Sequence, residues 1–292
     1  MAAPRVVLRL GLSLLLCSTA ACAPKSKSCC SESADAHARG RSAGCGKAHH
    51  GTDRFEPLAI EAGGLDRTYS FYVPASYDPA RAYPLIFRFH GHGGSGASGG
   101  LEIEQASAGG ALIISPDGLL AANQTDRTWD PASEAADLAY FDRLLDWAAT
   151  RYCVDLDRVY AYGFSAGGGM AQRLACRRGD ALRAVGTIAA IRRGTNERCQ
   201  GMTAGFLTYG QNDPAVPIAH GVAVRDRLLL QNHCTSESEA LGPSCVRYRH
   251  CAAGEPVVWC VTDAPAATAH DPGGVAAARP IWQFFSELPP TR

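Results

Sequence analysis

The sequence predicts an α/β protein built on a mostly parallel sheet with helices on both faces, and three observations carry that expectation. Runs rich in β-branched and aromatic residues recur along the chain, stretches of helical apolar spacing separate them, and glycine-rich turns join the two. Such alternation implies parallel strands connected by helical crossovers, with both sheet faces covered. At 292 residues, 46% hydrophobic and 19% charged, the chain is long enough for one large domain with a buried core.

The elements follow in order. Arg5 and Arg9 precede an apolar run over 10–16 and then small residues ending at Ala20, Ala21 and Cys22. This reads as a secretory signal over 1–21, too short to span a bilayer as a mature helix, and implies an extracellular destination. Cys22 is the candidate for lipid attachment to a membrane, with ordinary signal cleavage as the alternative, since Thr19 stands where a lipoprotein signal usually has Leu. Of twelve cysteines, loss of Cys17 with the signal leaves eleven and lipid on Cys22 leaves ten, a number that can pair completely. That many cysteines fit an oxidising compartment.

Residues 22–53, rich in Ser, Ala, Gly, Lys and Cys, hold almost no large apolar side chains and read as a leader or tether. Cys29, Cys30, His37, Cys45, His49 and His50 lack the paired C-x-x-C spacings of a metal site, so disulfides or disorder are expected there and no metal. Residues 54–292 are then expected to form a single domain, without internal repeats. Strands are expected at 67–73, 84–90, 111–115, 158–163, 185–189, 204–210 and 256–263, and helices at 134–151, 166–176, 217–230 and 279–288. In the helix at 134–151, Leu138, Phe141, Leu145 and Ala148 recur at helical spacing. A formal net charge of +0 implies no basic face, so nucleic acid is excluded as a partner, and a monomer is expected.

The pattern G-x-S-x-G occurs three times, around Ser42, Ser98 and Ser165. Ser42 lies in the polar leader, and Ser98 lies well beyond the strand that ends near His90. Ser165 alone has a strand directly before it and a helix former directly after it, the setting in which a tight turn lifts a serine hydroxyl above the sheet. A phosphate-cradling turn is the alternative, opposed by the lack of a following Lys.

A serine hydroxyl needs a histidine to take its proton and an acid to orient that histidine. Among the histidines that follow, His220 falls in a helix, and His233 and His250 sit beside cysteines. His270 alone lies between the last strand and the last helix. The acid should follow the strand at 204–210, which points to Asp213 in Y-G-Q-N-D-P, with Asp263 as the runner-up. Two backbone N–H groups must face the developing oxyanion. Ala166, directly after the serine, supplies one. The glycine-rich stretch 87–96 supplies the other through the amide of His92, with His90 bracing the loop.

Together these residues resemble the secreted esterases grouped as feruloyl esterases and polyhydroxybutyrate depolymerases, a branch of the α/β-hydrolases. The shared motifs, in order, are SAGCGK (42–47), YDPARAYPLIF (77–87), HGHGG (90–94), SPDG (115–118), YCVD (152–155), GFSAGG (163–168), LAC (174–176), YGQNDPAVP (209–217), NHC (232–234), PVVW (256–259), HDP (270–272) and WQFF (282–285). The resemblance implies an α/β-hydrolase fold and a Ser165–Asp213–His270 triad that hydrolyses esters without a metal or organic cofactor. Its expected substrates are feruloylated plant polysaccharide or, as the runner-up, a short-chain polyester. A surface-attached binding protein that keeps the fold without turnover is the reading of a different class. The resemblance further implies a Cys234–Cys251 disulfide and structural roles for Cys45, Cys153, Cys176 and Cys199, and Cys245 with Cys260 is expected as an extra pair. Trp129 is the candidate for lining an aromatic acyl pocket, with core packing as the alternative. Two departures stand out: the link from Asp263 to His270 is longer than usual, and a histidine occupies position 92.

Overall fold

The computed structural model describes residues 40–192, 198–252, 254–271 and 273–289. Cys22 and the first half of the leader lie outside them. In chain order the elements are β1 (Phe55–Ala62), β2 (Leu65–Tyr72), β3 (Tyr83–Phe89), α1 (Ile103–Ser107), β4 (Leu112–Pro116), β5 (Leu119–Leu120), β6 (Arg127–Thr128) and α2 (Glu134–Arg151). They continue with β7 (Val154–Phe164), α3 (Ala166–Arg177), β8 (Ala184–Ile188), β9 (Ala204–Gly210), α4 (Ile218–Gln231), β10 (Ser238–Ala240), β11 (Cys245–Tyr248), β12 (Val257–Thr262) and α5 (Gly274–Glu287).

Ten strands form one sheet in the order β1-β2-β4-β3-β7-β8-β9-β12-β11-β10, and β5 pairs separately with β6. The run from β4 through β12 is parallel, while the β1–β2 and β10–β11 edges are antiparallel. The period-two geometry of a strand divides the core into two layers. Leu85, Phe87 and Phe89 of β3 pack with Phe141 and Leu144 of α2 and Met170 and Leu174 of α3. Their neighbour Ile86 points the other way, where Tyr160 and Tyr162 of β7 meet Ile281 and Phe285 of α5. Val224 and Leu228 of α4 cover Leu207, Tyr209 and Trp259 on the α3 side. Each fully buried large apolar side chain stabilises the fold by about 1.5–3 kcal/mol before chain entropy is counted, so both helical layers are needed.

The strands expected from sequence are present with shifted ends, and α2 spans the expected residues. Several elements depart from the reading: β1, α1, the short β5 and β6 and the β10–β11 hairpin were not expected, and α5 begins elsewhere. β1 and the β10–β11 hairpin lack a buried apolar alternation, and they rest instead on edge pairing and a disulfide. α5 starts at Gly274, five residues earlier than expected, and carries Pro280 inside it. No described helix is long and apolar enough to cross a membrane.

Residues 40–53, read as the end of the leader, are fastened to the domain without a core of their own. The Ser42 hydroxyl donates to the Tyr152 carbonyl at 2.8 Å and accepts from the Val154 amide at 2.9 Å. Cys45 is bonded to Cys153, and His49 stacks on Tyr152. Among the described residues no His, Cys, Asp and Glu side chains gather as a metal site would require.

Candidate active site

Because the central strands run parallel, the segments leaving β3, β7, β9 and β12 all emerge at one sheet edge, the usual place for a site in such folds. Ser165 stands between β7 and α3 at φ 52° and ψ −117°, a conformation that a non-glycine residue adopts only under strain, roughly 1–3 kcal/mol. Neighbouring backbone holds it there. The Ser165 amide donates to the Ile188 carbonyl at 3.0 Å, and the Ser165 carbonyl accepts from Gly169 at 3.0 Å and Ile191 at 3.1 Å. The turn is tight enough that a Cβ on Gly167 would run into the Phe89 and His90 carbonyls. The other two candidate serines are structural: the Ser98 hydroxyl accepts from the Ser95 amide at 2.8 Å, and Ser42 bonds backbone as described.

His270 Nε2 lies 3.2 Å from Ser165 Oγ, and its Nδ1 lies 2.7 Å from Asp213 Oδ2. The carboxylate accepts only, so Nδ1 carries the ring proton and Nε2 is left to accept from the serine. Asp213 Oδ1 in turn accepts from the amides of Ala215 and Val216, both at 2.8 Å, which fixes the carboxylate in its loop. The Asp213 side chain is fully buried and that of His270 is 25% exposed, so the carboxylate is shielded from solvent while the imidazole is partly open to it. The Phe164 ring lies 4.8 Å from the imidazole. Asp263, the alternative acid, faces Asn212 instead: Asn212 Nδ2 donates to Asp263 Oδ1 at 3.1 Å and to the Ala264 carbonyl at 3.0 Å. Asn212 thereby ties the start of the long 263–270 link to the loop that carries Asp213. Sequence reading passed over it, although it directly precedes the acid in the same motif.

The amide of Ala166 opens α3 and has no intrahelical acceptor, as at any helix start. The glycine-rich loop after β3 lies against Ser165. A Cβ on Gly91 would come within 3.6 Å of Ser165 Cβ and 3.0 Å of the Phe164 ring. The neighbouring His92 amide has no protein acceptor among the described residues. The His92 side chain points to solvent at 55% exposure, 3.5 Å from Asp126.

Trp129 is corrected to a core residue. It has no exposed surface, donates from Nε1 to the His90 carbonyl at 3.0 Å, and meets Phe89 edge-on, so it supports the loop instead of touching a ligand. All eight described cysteines are paired, as Cys45–Cys153, Cys176–Cys199, Cys234–Cys251 and Cys245–Cys260, the third as the resemblance implied and the fourth as the expected extra pair.

No family model matches the chain. Among curated proteins, feruloyl esterase D of Neurospora crassa is 29% identical over 273 residues, covering 85% of this chain and 90% of that protein. A probable feruloyl esterase C of Aspergillus terreus is 30% identical over 207 residues, covering 67% of this chain and 71% of that one. Among solved structures, the acetyl xylan esterase of Aspergillus awamori superposes with a TM-score of 0.61 at 12% identity, covering 79% of this chain and 99% of that one. That likeness shows an α/β-hydrolase fold.

Proposed function

Since the chain belongs to the feruloyl esterase family and is a carboxylic ester hydrolase, we propose that it cleaves hydroxycinnamoyl esters of plant cell-wall polysaccharide through an acyl-enzyme on Ser165. The observation that carries this reading is the aligned pair of contacts from His270, 3.2 Å to Ser165 Oγ and 2.7 Å to Asp213 Oδ2. His270 Nε2 takes the hydroxyl proton while Oγ attacks the ester carbonyl carbon. The carbonyl electron pair moves onto oxygen, where the amides of Ala166 and His92 receive it. Collapse expels the sugar alkoxide, which takes the proton from the imidazolium, and leaves the acyl group on Ser165. Water, deprotonated by the same nitrogen, then attacks the acyl carbonyl and releases the hydroxycinnamate, restoring the serine.

Paired cysteines and the signal-like 1–21 support an exported enzyme, with its catalytic domain over 54–292. Attachment by lipid at Cys22 belongs to the same proposal, as does a monomeric state. A Cys22→Ala variant released into the medium while the parent stays with the membrane supports the anchor, and release of both refutes it. Ser165→Ala is expected to abolish hydrolysis of methyl ferulate with an unchanged circular dichroism spectrum. Full activity in that variant refutes the mechanism. Clearing of a polyhydroxybutyrate film at a rate that outstrips methyl ferulate hydrolysis would move the substrate to the polyester class. A purified parent chain inert on both would leave the binding-protein reading standing.

A further inference from the structure

We propose that His90 is a positioning residue for the oxyanion hole, its ring holding the Gly91–His92 peptide so that the His92 N–H faces the substrate oxygen above Ser165. The inference rests on the esterase reading of that site and adds a part outside the triad. His90 directly follows β3 and is 3% exposed. The Gly118 amide donates to its Nε2 at 3.0 Å, so that nitrogen holds the lone pair and the proton of the neutral ring sits on Nδ1. Nδ1–H donates to the Gly91 carbonyl at 2.7 Å. That carbonyl shares a planar trans peptide with the His92 N–H, and the two point in opposite directions. Tethering the oxygen therefore aims the hydrogen.

The surrounding bonds reinforce this. Gly94 N–H reaches the same Gly91 oxygen at 3.1 Å, and Gly93 N–H donates to the Arg127 carbonyl at 2.9 Å. Trp129 Nε1–H holds the preceding His90 carbonyl at 3.0 Å. The loop is thus gripped on both sides of His92, while the His92 amide stays without a protein acceptor among the described residues. Burial pushes the ring's pKa below the usual histidine value, and the Gly91 carbonyl bond and the Asp117 charge only partly oppose it, with Arg127 and Arg88 pushing the same way as burial. The neutral form that the geometry needs is the favoured one. With both nitrogens engaged by backbone, His90 has no free site for acid–base work, and a ring that merely filled space would need neither bond.

The test compares three variants on methyl ferulate, with competent sites counted by titration with a serine-reactive phosphonate. His90→Phe keeps the ring and removes the donor. It is expected to lower kcat per titrated site by about 10- to 100-fold while KM stays within about three-fold, the pattern of a lost transition-state interaction. His90→Asn restores a donor at the Nδ1 position and is expected to recover kcat to within about five-fold of the parent. His90→Gln keeps an acceptor for Gly118 without that donor and is expected to fall with Phe, which decides the matter if the Phe variant does not fold. The acyl carbonyl stretch of the cinnamoyl-enzyme, read by difference Raman, should move to higher frequency in Phe and Gln and stay near the parent in Asn. Parent-like kcat per site in Phe or Gln, or a loss of kcat with an unmoved stretch, overturns the proposal and leaves the triad intact. Failure of the esterase reading itself has a separate signature, activity surviving in Ser165→Ala.

Discussion

At the scale of single residues, the proposed chemistry turns on the orientation of Asp213. Its Oδ1 is held by the amides of Ala215 and Val216, so an Asn at 213 would keep its amide oxygen there and turn NH2 toward His270. The imidazole would then have to accept at Nδ1 and carry its proton on Nε2, where it can no longer take one from Ser165. Asp213→Asn is therefore expected to lower kcat by about 10⁴ with little change in fold. Steady-state kinetics beside circular dichroism check it, and a loss below ten-fold would refute the assigned tautomer. Ser165, Asp213 and His270 could all be read from sequence, because a strand before a serine and the order of strand ends are local patterns. Trp129 could not be placed the same way. Aromatic side chains serve cores and pockets alike, and only its zero exposure and its bond to the His90 carbonyl separate the two.

At the scale of elements, the Cys45–Cys153 bond fastens residues 40–53 beside the start of β7, at the sheet edge opposite the triad. It closes a separation of 108 residues, and a loop of that length confers about 4–5 kcal/mol in the chain-entropy account. The double variant Cys45→Ala, Cys153→Ala is expected to lose about 2–5 kcal/mol of stability and to keep its kcat at low temperature. Denaturant unfolding and an esterase assay read the two separately, and a fall in kcat of the folded variant would contradict the remoteness of this edge. The misjudged start of α5 has a related lesson. Pro280 suits a first helical turn and disfavours an interior, yet α5 runs through it because Ala278, Ile281, Phe284 and Phe285 bury one face against the sheet. Tertiary burial outweighed local propensity there. The β10–β11 hairpin was hidden for the opposite reason, since its strands are half-exposed and carry no apolar alternation; Cys245 and Cys260, paired across β11 and β12, hold it instead.

At the scale of the whole molecule, Arg183 ties distant segments together at the start of β8. Its guanidinium donates to Glu255 Oε2 at 2.9 Å, to the Gly254 carbonyl at 2.7 Å and to the Pro289 carbonyl at 2.7 Å. Burial pushes the Glu255 carboxyl up to about 7 despite the Arg183 charge. A carboxyl whose pKa is raised on folding binds its proton more tightly in the native state, so its contribution is full below the unfolded value of 4.5 and is lost as pH rises toward about 7. Tm should therefore fall between pH 5 and pH 7.5 by more in the parent than in Glu255→Gln. Equal slopes in calorimetry at the two pH values would refute the raised pKa.

By itself the sequence determined the fold class, the parallel middle of the sheet and which serine, acid and histidine stand at strand ends as candidates, because periodicity, glycine-rich turns and the setting of each residue are carried by near neighbours along the chain. Tertiary structure alone decided that Ser165, Asp213 and His270 meet, which side chains are buried, that Cys45 pairs with Cys153 and Cys176 with Cys199, and which way the Gly91–His92 peptide faces. Those outcomes depend on groups far apart in sequence, such as His90 with Gly118 or Cys45 with Cys153, that meet only once the sheet has closed around its two helical layers.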